Sequence, residues 1–248
     1  MDTNKVVPVR ISPSPIKQAV LEVRFVSEHP SDAVFGMVYS AVNDMFPSKK
    51  PDVLPVMQIP ETVRQQDPNL KYQPGHRFVH ENYSLSVGAS SLQFGVSQPY
   101  PGWDTWSAFF HEGLERIRKI GIFRQVERMG LRYINLFEEA IFKNIDLKVM
   151  VTDRQLWDEP TNLRTEIRDS GFTKVLQVGN SVQMTVDGKR IKGSVIDIDC
   201  LYDMNVKGDS FFTQYRGIVE QAHEKEKSLF FNLLNDEFVE TLNPQYGE

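Results

Sequence analysis

Apolar and polar residues alternate with period two along several stretches of this chain and with helical period along others. From Ile16 to Val26, Val20, Glu22 and Arg24 share one face, while Leu21, Val23 and Phe25 share the other, which predicts a strand. Val34, Phe35, Val38, Tyr39, Val42, Met45 and Phe46 recur at helical spacing behind Ser31-Asp32, an expected N-cap. Arg77–Val96 predicts short antiparallel strands joined by tight turns, and Asp104–Ile120 predicts a helix with Trp106, Phe109, Phe110, Leu114 and Ile117 inward and Gly121 at its end. Strands are also expected at Leu147–Val151, Arg164–Ile167, Thr173–Val178, Ser181–Val186 and Ser194–Tyr202, with hairpin turns at Gly179-Asn180 and Asp187-Gly188. Gly208-Asp209 is expected to cap a final long helix over residues 210–235, followed by a helical turn over 236–242. Helices flank groups of antiparallel strands and do not alternate with single ones. The expected class is therefore α+β, with antiparallel sheets packed by long amphipathic helices. Strands and a long helix occur in both 1–143 and 144–248, so two related halves joined in one compact unit are an option, although no sequence repeat is visible.

The stretch Arg128–Phe137 carries the most definite charge geometry. Met129, Leu131, Tyr133, Asn135 and Phe137 fall on one strand face, and Arg128, Gly130, Arg132 and Ile134 on the other. Extended back through Val126 to Arg124, this face predicts a ladder of Arg124, Arg128 and Arg132 with steps of about 13 Å. Such a strand pairs its guanidiniums with carboxylates or offers them to an anionic partner.

Composition narrows the options. The 248 residues are 40% hydrophobic and 25% charged, with 16 Phe and 8 Tyr, enough for a substantial core. No apolar run approaches the ~20 residues of a membrane helix, and the N-terminal Met-Asp-Thr-Asn-Lys lacks a signal-peptide pattern, so a cytoplasmic, membrane-free protein is expected. The single cysteine, Cys200, excludes an internal disulfide and a cysteine-based zinc site. A net charge of −5 weakens the general pull of nucleic acid, which places a protein partner ahead of it. Charge is nonetheless divided, with six basic residues against Glu127 alone between Arg116 and Arg132, and an acidic C-terminal region.

Catalytic signals are sparse. Asp197 and Asp199 share a strand face about 7 Å apart, and with Glu166 and Asp169 from an expected neighbouring strand they would form an acidic cluster of the metal-nuclease type. Pairing of the two aspartates with the arginine face is the competing and favoured arrangement. His76 and His80 would stand about 13 Å apart on a strand, too far to share an ion. His111 belongs beside an apolar helix stripe. His223 is expected on a solvated helix surface, where it can meet a partner. Cys200 is expected on an apolar strand face, and neither a nucleophile elbow nor a phosphate-binding glycine loop is present. Trp103, Trp106 and Tyr100 precede the basic segment; Trp106 is expected in the core and Trp103 at its rim. No cofactor is called for.

Ser14–Phe25, Trp106, Gly130–Asn135, Asp197-Ile-Asp199 and the span from His223 through Phe230-Phe-Asn to Glu237 together resemble a sporadically distributed, largely uncharacterised bacterial and archaeal protein family of about this length. The resemblance implies a shared fold and transfers no catalytic residue. A patchy distribution is similar to that of genes on mobile elements, including defence and toxin–antitoxin cassettes, and implies a partner protein. The expected function is a non-catalytic interaction or regulatory protein, with Arg124, Arg128, Arg132 and His223 as binding residues. The alternatives are a small-molecule-binding module with a helix-over-sheet pocket, and a metal-dependent hydrolase or nuclease using Asp197, Asp199 and Glu166.

Overall fold

A computed structural model of the chain describes residues 5–47, 50–186 and 188–247, apart from the side chains of Val186 and Lys189. Asp187 of the expected Asp187-Gly188 turn lies outside the described residues, as do residues 1–4 of the N-terminal Met-Asp-Thr-Asn-Lys. The chain runs through β1 (Ile16–Val26), α1 (Ser31–Val42), β2 (Asp52–Val53), α2 (Glu61–Gln66), β3 (His76–His80), β4 (Tyr83–Val87), β5 (Ser91–Ser97) and α3 (Trp103–Arg118). It continues through β6 (Gln125–Phe137), β7 (Met150–Val151), β8 (Arg154–Gln155), β9 (Thr161–Asp169), β10 (Phe172–Val186), β11 (Lys189–Lys207), α4 (Gly208–Leu233) and α5 (Asp236–Thr241).

Nine strands form one sheet in the order β2-β3-β4-β5-β1-β6-β11-β10-β9, and every pairing is antiparallel. The small β7-β8 hairpin stands apart from it. The two strands with the clearest alternation, β1 and β6, lie side by side at the centre. A strand buried on one face needs its apolar set in register with its neighbours, and Leu21↔Leu131 and Val23↔Met129 meet that requirement. The apolar face is covered by helices. Trp106, Phe110 and Leu114 of α3, and Phe211, Tyr215, Phe230 and Phe231 of α4, pack there with Phe94, Leu131, Tyr133, Ile198 and the α1 residues Val34 and Val38. Gly113 lets α3 come close, since a Cβ there would stand 2.4 Å from the Phe94 ring.

Several local expectations change. Pro30, and not Ser31, occupies the cap position of α1, and the Ser31 hydroxyl donates to Glu61. The long helix α4 begins at Gly208, with Asp209 inside its first turn and no side-chain cap. Gly179-Asn180 is not a hairpin turn. Residues 172–186 form one strand, and its register against β11 jumps between Gly179 and Val182, which marks a β-bulge. Among the described residues no helix is long and apolar enough to cross a membrane.

Candidate functional site

The face of the sheet opposite the helices carries the polar set of each strand. Glu22 and Arg24 come from β1, Arg128 and Arg132 from β6, Asp197 and Asp199 from β11, Gln177 from β10 and Gln93 from β5. The register sets Arg24 opposite Arg128, Arg132 opposite Asp199 and Glu22 opposite Gly130. Placing two guanidiniums directly opposite each other is unfavourable unless a carboxylate lies between them. Glu22 does this: Arg24 Nε donates to its Oε2 at 2.6 Å, Arg128 Nη2 donates to the same oxygen at 3.3 Å, and Gln93 Nε2 donates to Oε1 at 3.0 Å. Tyr72, from the segment after α2, lies over the Arg24 guanidinium at 4.3 Å and donates its hydroxyl to Glu127.

The second pair is bidentate. Arg132 Nε donates to Asp197 Oδ1 at 2.8 Å and Nη2 to Oδ2 at 2.5 Å, and Gln177 Nε2 adds a bond to Oδ2 at 3.2 Å. The Asp197 side chain is only 8% exposed, whereas that of Arg132 is 42% exposed. The pair therefore presents one cation outward on a buried counter-charge. Asp199 sits between the two pairs. Burial raises its carboxyl to about 6, with Glu22 and Asp197 also raising it and Arg132 and Arg128 holding it down. Gly130 leaves the room for it, since a Cβ at that position would approach Asp199 Oδ1 to 3.2 Å. Three carboxylates thus answer three guanidiniums.

The expected three-arginine ladder is shortened to two. The register shifts on both sides of β6 near Glu127, which reverses the alternation and turns Val126 into the core. Arg124 lies before the strand, 63% exposed, near Glu28 at 3.5 Å. The acidic cluster does not assemble either, because β10 intervenes between β9 and β11. Glu166 is exposed and paired with Arg164, while Asp169 is held by Lys174 and Lys225, which lower its carboxyl well below the usual range. Among the described residues no three His, Cys, Asp or Glu side chains are grouped to hold a metal ion. Both Asp197 oxygens are already committed, so a cation there would have to displace Arg132.

His223 is not on a solvated surface. Its ring stacks on Trp103 at 3.9 Å with planes 3° apart, and its Nδ1 lies 3.2 Å from the Tyr133 hydroxyl, which in turn meets Tyr100. Burial lowers the imidazole to about 4. His111 is half-buried as expected, with Nδ1 3.2 Å from the Tyr215 hydroxyl. Cys200 is buried on the apolar face, and its thiol is pushed up to about 12, chiefly by burial.

Sequence reasoning missed Gln177, Gln93 and Glu226. The two glutamines become partners only through strand order, which no local pattern encodes. Glu226 did carry a signal, since it follows Ile218 and Ala222 and precedes Phe230 on the inward stripe of α4. It is buried, its Oε1 has no partner, and burial raises its carboxyl to about 8. The helix-over-sheet interface is filled by aromatic side chains, with Trp106 fully buried. No protein-family model and no curated protein matches the chain, so the chemistry of the site rests on its own geometry.

Proposed function

We propose that this is a non-catalytic interaction or regulatory protein that meets another macromolecule, a protein ahead of nucleic acid, with the helix-free face of its sheet. The observation that carries this reading is that the carboxylates and guanidiniums at the centre of that face balance one another. Glu22 and Asp197 are spent on arginines, and Asp199, held between the two pairs with its carboxyl raised to about 6, has no grouped set of metal ligands beside it among the described residues. A rigid charged surface remains, with Arg132 presented outward on a fixed counter-ion. Preorganised, half-exposed arginines are favoured in recognition surfaces, because less side-chain entropy is lost on binding.

A cytoplasmic role as the neutralising member of an operon pair, as in mobile defence or toxin–antitoxin cassettes, fits such a surface. The strand order also fits descent from two related halves. β1 and β6 adjoin at the centre; each is paired by the last strand of a three-strand meander, β5 or β11, and each meander leads into a helix, α3 or α4. The metal-dependent hydrolase reading would require Asp197 to release Arg132.

Gentle affinity purification from the host at low salt, followed by native mass spectrometry, tests the reading. A stoichiometric protein companion is expected, and Arg164→Glu on the same face should reduce its capture by about tenfold or more. Arg124→Glu should leave capture intact, since Arg124 is off this face. A bare chain at low salt would overturn the proposal.

A further inference from the structure

The β-bulge in β10 shapes a second feature of the open face. Asn180 and Ser181 together oppose the single residue Ser194, and Ser181 adopts φ 50°. The bulge is fixed from inside. Asn180 Nδ2 donates to the carbonyls of Trp157 and Glu159, its Oδ1 accepts from the Phe142 N–H, and the Ser181 N–H donates to Ser194 Oγ at 3.1 Å. Ser194 Oγ in turn donates to the Glu139 carbonyl at 2.6 Å. With these two residues drawn inward, the opposite side holds a depression of about 300 Å³, lined among others by Arg132, Arg164, Gln177, Asp197, Val182 and Val195. Gly179 also lines it and helps to keep it open, because a Cβ there would stand 3.1 Å from Val182 and 3.2 Å from Asn162 Oδ1.

We propose that this depression binds a small monocarboxylate with an apolar tail, either as a free acid or as the last residue of a polypeptide. The inference does not depend on a macromolecular partner. Two guanidiniums converge on the depression, and each is already paired with one carboxylate, Arg132 with Asp197 and Arg164 with Glu166, so what the lining offers an anion is the donors those pairs leave over. Asp197 engages Nε and Nη2 of Arg132, which fixes the plane of the fork and leaves Nη1 as an uncommitted donor. Glu166 takes Nη2 of Arg164 and is not among the lining residues, so the remaining donors of Arg164 are free for a ligand. A dianion such as phosphate would bring its second charge towards Asp197 and Asp199, whereas a monoanion brings only one. Val182 and Val195 supply an apolar wall beside the donors, and the volume suits a ligand of amino-acid size.

The test is titration of the isotopically labelled full chain with N-acetyl-leucine, followed by amide resonances. Saturable shifts at Gly179, Val182 and Val195 are expected. N-acetyl-leucinamide, which has the same tail and no charge, should bind about tenfold more weakly or less. Arg164→Ala lies on the exposed edge strand and spares the Asp197 pair; it should weaken the acid by a similar factor without altering the remaining spectrum. A hexapeptide ending in a free leucine carboxylate distinguishes the sources: tighter binding than N-acetyl-leucine assigns a polypeptide end, and equal or weaker binding assigns a small acid. Absence of shifts with either acid, equal binding of acid and amide, or an unchanged affinity in Arg164→Ala would each overturn the inference.

Discussion

Asp197 is the residue on which the open-face cluster turns, because it is the buried end of a bidentate pair whose other end is half in water. Asp197→Ala would leave Arg132 and Gln177 without their shared acceptor. Breaking a fully buried pair costs about 3–5 kcal/mol, and the exposure of Arg132 screens part of that, so a loss of about 2–3 kcal/mol is expected from denaturant midpoints. A loss below about 1 kcal/mol would show the pair to be fully solvated. Glu226 works in the opposite direction. Its folded carboxyl stands at about 8 against an ordinary 4.5, so the unfolded chain ionises first as pH rises. Its contribution is fully present below pH 4.5 and is lost progressively up to about 8. Glu226→Gln should therefore match the parent near pH 4 and exceed it by roughly 3 kcal/mol near pH 7. Equal stability curves across that range would mean the buried acid finds a partner when ionised. At this scale the sequence was partly legible. Alternation alone put Asp197 and Asp199 on one face, and Glu22 and Arg24 on another strand's polar face. It could not show that Glu22 bridges Arg24 and Arg128, because that depends on a register set by the turns and core packing of separate strands.

Elements keep their type from local pattern but take their boundaries and phase from contacts. The strand β6 was legible from Arg128 to Phe137, yet Arg124 fell out of its ladder because the irregularity at Glu127 reverses the phase. The Gly179-Asn180 dipeptide has the chemistry of a turn. It became a bulge because Asn180 finds three backbone partners in the 142–159 segment, which an exposed turn would not supply. The start of α4 is set by close approach. A Cβ at Gly208 would stand 2.1 Å from the Phe123 carbonyl oxygen, a backbone atom that cannot swing aside. Gly208→Ala should accordingly force the helix off the strand entry and cost about 1–3 kcal/mol in thermal or chemical unfolding. An unchanged midpoint would indicate that this junction yields without strain.

For the whole molecule, the decisive fact is one sheet shared by residues on both sides of position 143. β6 pairs with β1 along one edge and with β11 along the other, so neither part keeps a complete set of partners by itself. A fragment of residues 1–143 would expose the β11 edge of β6 and the apolar surface that α4 covers. It is expected to lack dispersed amide resonances and to self-associate; a well-dispersed monomeric spectrum would show instead that the first part folds independently. The sequence by itself determined the α+β class, the alternating strands β1 and β6, the long helix α4 and the placing of Arg128 with Arg132, and of Asp197 with Asp199, on one face of their strands, since each follows from residue periodicity. The tertiary structure alone decided that β10 separates Glu166 from Asp197, that His223 lies against Trp103, that Glu226 is buried, and that a bulge opens a depression beside Arg132. These depend on strand order and on contacts between residues far apart in the chain, which periodicity does not carry.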